Sequence, residues 1–422
     1  MKPGLRETLL LTALAAAYFV VLNWAASCRC LGTVSDSLAD LQDKTLDLVS
    51  RLEYRRAGPN PQGFPPVRLV QIDEVAMHQH SPGTYVFNRG SLARLLSELD
   101  RQKPRAVFVD LDLSQPTNEP QDGPRLSRGD QELLAFLRQP RRYPLLLTTV
   151  RSPGSTYLLG EPLEALPWIC LVSPLAIRDD DLRVRRIPRA VDPRNPYPAS
   201  EALARIARGE PCPQVREDLP PNLFASAYGG IGSRMVFREL ELWRGLLPVG
   251  AGAVLGGKTP GLLEDSLVLV GRVDPASLDQ YPTPVGLLPG VVIHANELLT
   301  LLTYGRNVQV VSPLVGVPLA FGLTLLVLLL TPLLSRLLLG GANRLLARLR
   351  GAQPESVPAK LDFLERPLMW GALFLVSAWM LHRSGVFLDY IFPIIGLELA
   401  RVTRERKVSR LFTRIFRWAL RA

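Results

Sequence analysis

Two apolar runs in this sequence end in acids. VRLVQID closes on Asp73, and AVFVDLDL closes on Asp110 and Asp112. In an open α/β sheet, ligands settle beyond the carboxyl ends of the strands. Carboxylates there can accept hydrogen bonds from a small polar ligand or hold a cationic one. Arg89, from the loop ahead of the leucine-rich stretch 91–102, would add a fixed positive fork. Farther along, DQYPTPVGLLPGVVIHANELLTLL (279–302) brings Thr283, His294 and Asn296 towards another strand end. Asp73, Arg89, Asp110, Asp112, Thr283, His294 and Asn296 are therefore the candidate ligand-binding residues. The plainer alternative for the acids is helix capping and loop anchoring.

Other motifs carry less. GAVLGGKT (252–259) matches the phosphate-binding pattern G-x-x-x-x-G-K-[ST]. That mechanism needs a buried strand before the loop and a helix opening at the lysine, so that free amides point at phosphate. Here LLPVGA is a poor strand, and Pro260 and Gly261 follow at once. His78 and His80 have no neighbouring cysteine at a metal-site spacing. No serine sits in a nucleophile-elbow pattern, and no compact Ser/His/Asp or Cys/His group is visible. The expectation is a non-enzymatic chain with no cofactor and no metal.

The elements that must position these residues alternate. After strand 67–73 come helix 91–102, strand 106–113, a helix from Asp130 and the strand YPLLLTTV; SLVLVG (266–271) is a later strand, followed by helix 292–304. Alternation of strands with helices predicts βαβ units and a mainly parallel sheet. The prolines of YPTPVGLLPG fix φ and withhold backbone N–H groups. That segment is expected to turn out of the sheet and lead rigidly into the last helix.

Residues 8–26 and 314–334 carry no charge and have the length of membrane spans. LMWGALFLVSAWML and VFLDYIFPIIGLELA, on either side of an HRSG turn, read as a shorter hairpin. The predicted organisation is a membrane anchor at 1–26, an exported α/β domain at 27–311 and a second transmembrane helix at 312–335. A basic cytoplasmic loop at 336–366, a helical hairpin at 367–401 and a basic tail at 402–422 follow. The fold class is thus an α/β exported domain attached to an α-helical membrane module with one N-terminal span and three C-terminal membrane segments.

The net charge of +10 supports this topology rather than nucleic-acid binding. The segments beside the spans hold 16 Lys or Arg against five acids, and such an excess marks the cytoplasmic side. Both termini are then cytoplasmic and the large domain lies outside a bacterial inner membrane. In the tail, Arg404, Arg406, Lys407, Arg410, Arg414 and Arg417 oppose an apolar helical face flanked by Trp418. That pattern suits an interfacial helix on anionic lipid or a docking helix for a cytoplasmic partner. All four cysteines fall in the exported part, where disulfides are permitted, and Cys170 with Cys212 is one pairing. Val34, Leu38, Leu41, Thr45, Leu48 and Leu52 form a heptad-like stripe. It belongs either to a helix packed on its own domain or to a stalk pairing with another chain, including a second copy in a homo-oligomer.

The order of these parts resembles a known family. VQIDE, an arginine before a leucine-rich helix, AVFVDLDL, a D-x-x-L helix start at Asp130, RDDDLRVRRIPR (178–189) and LVLVGRVDPASLDQYPTPVGLLPGVVIHANELL stand in the sequence of the CHASE-type extracellular sensory family of the second type. The resemblance covers most of residues 40–400. It implies a bacterial extracytoplasmic sensor of an undefined stimulus. Such domains feed a cyclase or kinase, whereas here only residues 402–422 follow the last apolar segment. Output is therefore expected from a separate effector protein, or the domain serves as a docking platform in a larger envelope complex. Asp73, Arg89, Asp110, Asp130, Thr283, Pro284, His294 and Asn296 match the family's motif positions without assigned roles.

Overall fold

The computed structural model describes residues 33–58, 61, 63–113, 117, 126–148, 166–174, 176–179, 181–188, 197–212, 232–243, 245–310 and 362–404. Isolated helical positions at 14–18, 20–22, 25, 318, 322, 325 and 326 are also described. The chain divides into two compact units. One is Ser50–Val308; the other joins Met1–Val49 with Gln309–Ala422.

The first unit is built on six parallel strands: β1 (Val67–Ile72), β2 (Ala106–Asp110), β3 (Leu145–Thr148), β4 (Ile169–Val172), β8 (Leu246–Gly250) and β9 (Leu267–Arg272). Their order across the sheet is β4-β3-β2-β9-β1-β8. β9 comes last in sequence but lies between β1 and β2, pairing Val67 with Leu267 and Val107 with Val268. Burial on both faces explains the near-continuous apolar strands, as parallel sheets require.

Alternation along the strands separates the layers. Val107, Val109, Val268 and Val270 point to one face, where they join Leu92, Leu95, Leu96, Leu99, Leu133 and Leu137 in the main core. That face is covered by α2 (Glu74–His80), α3 (Arg89–Arg101), α4 (Arg128–Arg138) and α6 (Ala251–Leu255). Local chemistry starts these helices. The Asn88 side chain accepts from Ser91 N at 3.0 Å, and the Ser127 hydroxyl accepts from Asp130 N at 3.0 Å. α3 stops at Gln102; Lys103 has φ +52° and Pro104 follows.

The opposite face carries α5 (Ala199–Ala207) and α7 (Gly290–Tyr304). α7 is buried on all sides from Gly290 to Leu302. A small antiparallel sheet of β5 (Ile177–Arg178), β6 (Val184–Pro188) and β7 (Gly232–Arg234) shares a second core with Ile293 of α7. Tyr281 and Leu288 pack against the same core. They come from the hairpin β10 (Gln280–Thr283) and β11 (Gly286–Pro289). The proline-rich segment is thus a short antiparallel hairpin, and Pro282 and Pro289 are tolerated because its edges are free.

Several expectations change. Arg89 is not in a loop; it is the first residue of α3 and is buried. LLPVG does form a strand, at the sheet edge. In the phosphate-motif segment the helix α6 precedes Lys258 instead of starting there, and Lys258 N donates back to Ala253 O. No cradle of free amides is built.

The helix α1 (Thr33–Tyr54) also differs from its pattern. Leu48 and Leu52 of the apolar stripe are 50% and 40% exposed, whereas Asp43, Asp47, Ser50 and Glu53 are buried. The helix turns its polar face inward because Glu53 finds a buried arginine, Arg238, at 2.9 Å.

In the second unit, α8 (Asp362–Ser384) and α9 (Ile391–Arg404) flank β13 (Val386–Phe387), which pairs in parallel with β12 (Gln309–Val310). Gly385, with φ +63°, makes the turn. Asp389 accepts from Ile391 N at the start of α9 and from Gln42 Nε2, each at 3.0 Å. Among the described residues, no helix is both long and apolar enough to cross a membrane. Of the stretch 8–26 only positions 14–18, 20–22 and 25 are described, and of 314–334 only 318, 322, 325 and 326; the tail beyond Arg404, with Arg406, Lys407, Arg410, Arg414, Arg417 and Trp418, lies outside the described residues.

Candidate functional site

The carboxyl ends of the parallel strands converge where β2 and β9 leave the sheet beside the first turn of α7. Asp110 ends β2 opposite Gly271 of β9. A Cβ at Gly271 would lie 2.5 Å from Val291 Cβ, so glycine is what lets α7 sit against this rung. Gly290 opens α7 and receives Asp279: a Cβ there would lie 2.8 Å from Asp279 Oδ1 and closer still to Oδ2.

Asp279 is held from several sides. Gly290 N donates to the Asp279 carbonyl at 3.0 Å, and the same amide also reaches its carboxylate. The Tyr281 hydroxyl donates to the Asp279 carboxylate as well. A negative charge at a helix N-terminus is favoured by the free amides there. Arg272, fixed to Asp274 at 2.5 Å, faces Asp279 with a positive charge. The Arg178 guanidinium stands 5.1 Å from the Tyr281 ring centre.

Asp110 has far less support. Its Oδ2 is buried and has no hydrogen-bond partner. Burial first, and then the neighbouring Asp279 charge, push the Asp110 carboxyl well above the usual carboxylate range. Burial raises Asp279 too, against the pull of Tyr281, the Gly290 amide and Arg272. Tyr281 is pushed up to about 12 by burial and by the two carboxylates, with Arg178 opposing. Two adjacent, partly buried acids cannot both be charged cheaply. Chemically the pair can share a proton, or release it to water when a cation or a hydrogen-bond donor docks there.

Only part of the expected constellation assembles. Asp73 caps α2, accepting from Ala76 N at 2.8 Å. Arg89 donates to the Asp112 carbonyl at 2.5 Å and lies 4.0 Å from Asp130, so it ties the loop after β2 to α4. Asp112 itself is exposed. Thr283 closes the hairpin, its hydroxyl donating to Gly286 O at 2.6 Å. Asn296 Oδ1 accepts from Arg238 N and from Trp243 Nε1, each at 2.8 Å, and braces the core of the domain. His294 stacks edge-on against Phe108 of β2, centroids 5.4 Å apart. Its ring bonds to the Pro174 carbonyl while Nδ1 is buried without a partner. Burial depresses it to about 4, so it is neutral at ordinary pH.

Asp279 and Tyr281 were not among the sequence candidates. Their signal was an acid and a tyrosine just ahead of a hairpin whose far strand runs into a Pro-Gly helix start. Elsewhere, Cys170 on β4 and Cys212 form a disulfide with Cα atoms 6.2 Å apart. His80 packs edge-on to Phe87, and among the described residues no group of three His, Cys, Asp or Glu is placed to hold a metal ion.

Compared with known proteins, the chain matches one family model, that of the CHASE2 domain, over residues 17–334. No curated protein and no solved structure matches it.

Proposed function

The chain belongs to the CHASE2 domain family of extracellular sensory domains, and from that premise we propose that it is a membrane-anchored bacterial sensor whose stimulus acts at Asp110, Asp279 and Tyr281. The observation that carries this reading is the buried, unpartnered Asp110 Oδ2 at the carboxyl end of a parallel sheet. That is the end where α/β sheets take their ligands. The uncharged stretches 8–26 and 314–334 and their basic flanks support insertion in the inner membrane with both termini cytoplasmic. The chain itself performs no reaction in this reading. α7 carries the response from the site, and an effector on a separate chain turns it into output.

A second reading has its own support. Leu48 and Leu52 of the heptad stripe face outward, which suits a helix that docks on another protein or on a second copy of this chain. The domain would then be an assembly platform in an envelope complex. Purification of the full-length protein in gentle detergent from its native membranes separates the two. A co-purifying cyclase or kinase whose activity changes in the Asp110→Asn variant is the result expected of a sensor. A fixed-ratio set of envelope subunits, retained equally by the variant, would overturn the sensor reading in favour of the platform.

A further inference from the structure

The strand-end carboxyls are wired to one mechanical element. Asp110 is paired in register with Gly271, Gly271 touches Val291, and Gly290 touches the Asp279 carboxylate. The rung below, the helix turn above and the second acid therefore share one small volume. We propose that Asp110 and Asp279 form a proton-operated latch on the first turn of α7, closed while the pair holds a proton and released when both carboxyls are charged. This deepens the reading of the site as the sensing centre and rests on it: the stimulus becomes the acidity of the medium outside the membrane.

The geometry gives the two acids unequal parts. Asp279 is the grip, because it accepts from the Gly290 amide and the Tyr281 hydroxyl. Asp110 is the trigger, because its buried Oδ2 meets no donor that would stabilise a charge. An unpaired carboxylate in that position costs much more than a neutral acid. When Asp110 ionises beside Asp279, repulsion acts on the group that holds the helix start.

The other charges nearby come from three elements. Arg272 on β9 acts on Asp279, and is occupied by Asp274 and the Tyr85 carbonyl. Tyr281 on β10 donates to Asp279. Arg178 on β5 faces the Tyr281 ring, not Asp110. His294, one turn along α7, stays neutral down to about 4 and takes no part. Glu297, farther along the same helix, is pushed up to about 8 by burial and has to be separated in any test.

The test is amide hydrogen exchange at residues 290–296 of the full-length protein in detergent, from mildly acid to mildly alkaline pH, corrected for the intrinsic rate. The wild type and Glu297→Gln are expected to lose protection by about tenfold or more, the equivalent of one pKa unit of coupling. Adding Asp110→Asn to Glu297→Gln is expected to leave the profile flat. In the Glu297→Gln background, an infrared band from a protonated carboxyl that is lost when Asp110→Asn is added checks the trigger without relying on exchange. Protection independent of pH in Glu297→Gln, an unchanged slope when Asp110→Asn is added to it, or persistence of the band in that double variant would each overturn the latch. A flat profile combined with altered partner activity in Asp110→Asn would end the latch but leave the sensing site standing. Unaltered partner activity at every pH would instead remove the site itself.

Discussion

Glu53 and Arg238 form an ion pair 2.9 Å long with both side chains wholly buried. The same guanidinium donates to the Arg56 carbonyl at 2.9 Å and to the Tyr304 hydroxyl at 3.1 Å. Its backbone amide donates to Asn296. One arginine thus joins the end of α1 to both the middle and the end of α7. Removing one member of a buried pair strands the other charge. Arg238→Met is expected to lose about 3–5 kcal/mol of stability, whereas the double variant Glu53→Leu, Arg238→Met recovers most of it. Chemical denaturation of the full-length proteins checks both, and equal losses in the single and double variants would refute the pairing.

Gly290 and Gly271 leave no room for a side chain. Alanine at either position forces a shift of Asp279 or of Val291, an overpacking cost of about 1–3 kcal/mol. Gly290→Ala should also displace the Asp279 carboxylate and so change the alkaline shift of Tyr281. Spectroscopic titration of that phenol, identified by its loss in Tyr281→Phe, measures the effect.

Glu297 of α7 is fully enclosed, hydrogen-bonded to the Ser200 hydroxyl of α5 and pushed up to about 8 by burial. Its folded-state value exceeds its unfolded one. The stability it contributes is therefore complete below the ordinary glutamate range and is lost as pH rises towards about 8. Glu297→Gln removes this component. Between those limits the wild-type stability curve should fall more steeply than the variant's, by up to about 1.4 kcal/mol per pH unit. Melting curves across that window decide the matter.

The Cys170–Cys212 bridge closes a loop with a sequence separation of 42. Cys212→Ser is expected to cost about 2–4 kcal/mol, chiefly by freeing the unfolded chain. If the reduced wild type and the variant melt together with the oxidised protein, the bridge contributes nothing.

Much of the scaffold was legible in the sequence because its central strands are mostly apolar and α2, α3 and α4 begin with side-chain caps. Val67–Ile72 and Ala106–Asp110 fall where their patterns place them. The place of β9 between β1 and β2 was not, since no local pattern encodes which strands become neighbours. The site was half legible. Asp110 stood out as an acid at a strand end, but its partner Asp279 is far away in sequence and was hidden by the prolines around it. Asp73, Thr283 and Asn296, read as candidate ligand groups, hold a helix start, a hairpin and the core in the fold. A polar side chain carries the same letter whether it serves a ligand or a helix end. α1 misled for a related reason: its leucine stripe was visible, but the buried arginine awaiting Glu53 was not.

The position of β9 governs how the domain can be made. Val67 must find Leu267, and Val107 must find Val268, so the central slot stays open until almost the whole domain has been synthesised. Contacts so distant along the chain make for slow folding. In the interval, β1 and β2 each present an unpaired apolar edge. Chaperones and proteases meet the nascent chain at its most vulnerable, and a stop codon anywhere before Arg272 would leave them a product that cannot close its own sheet.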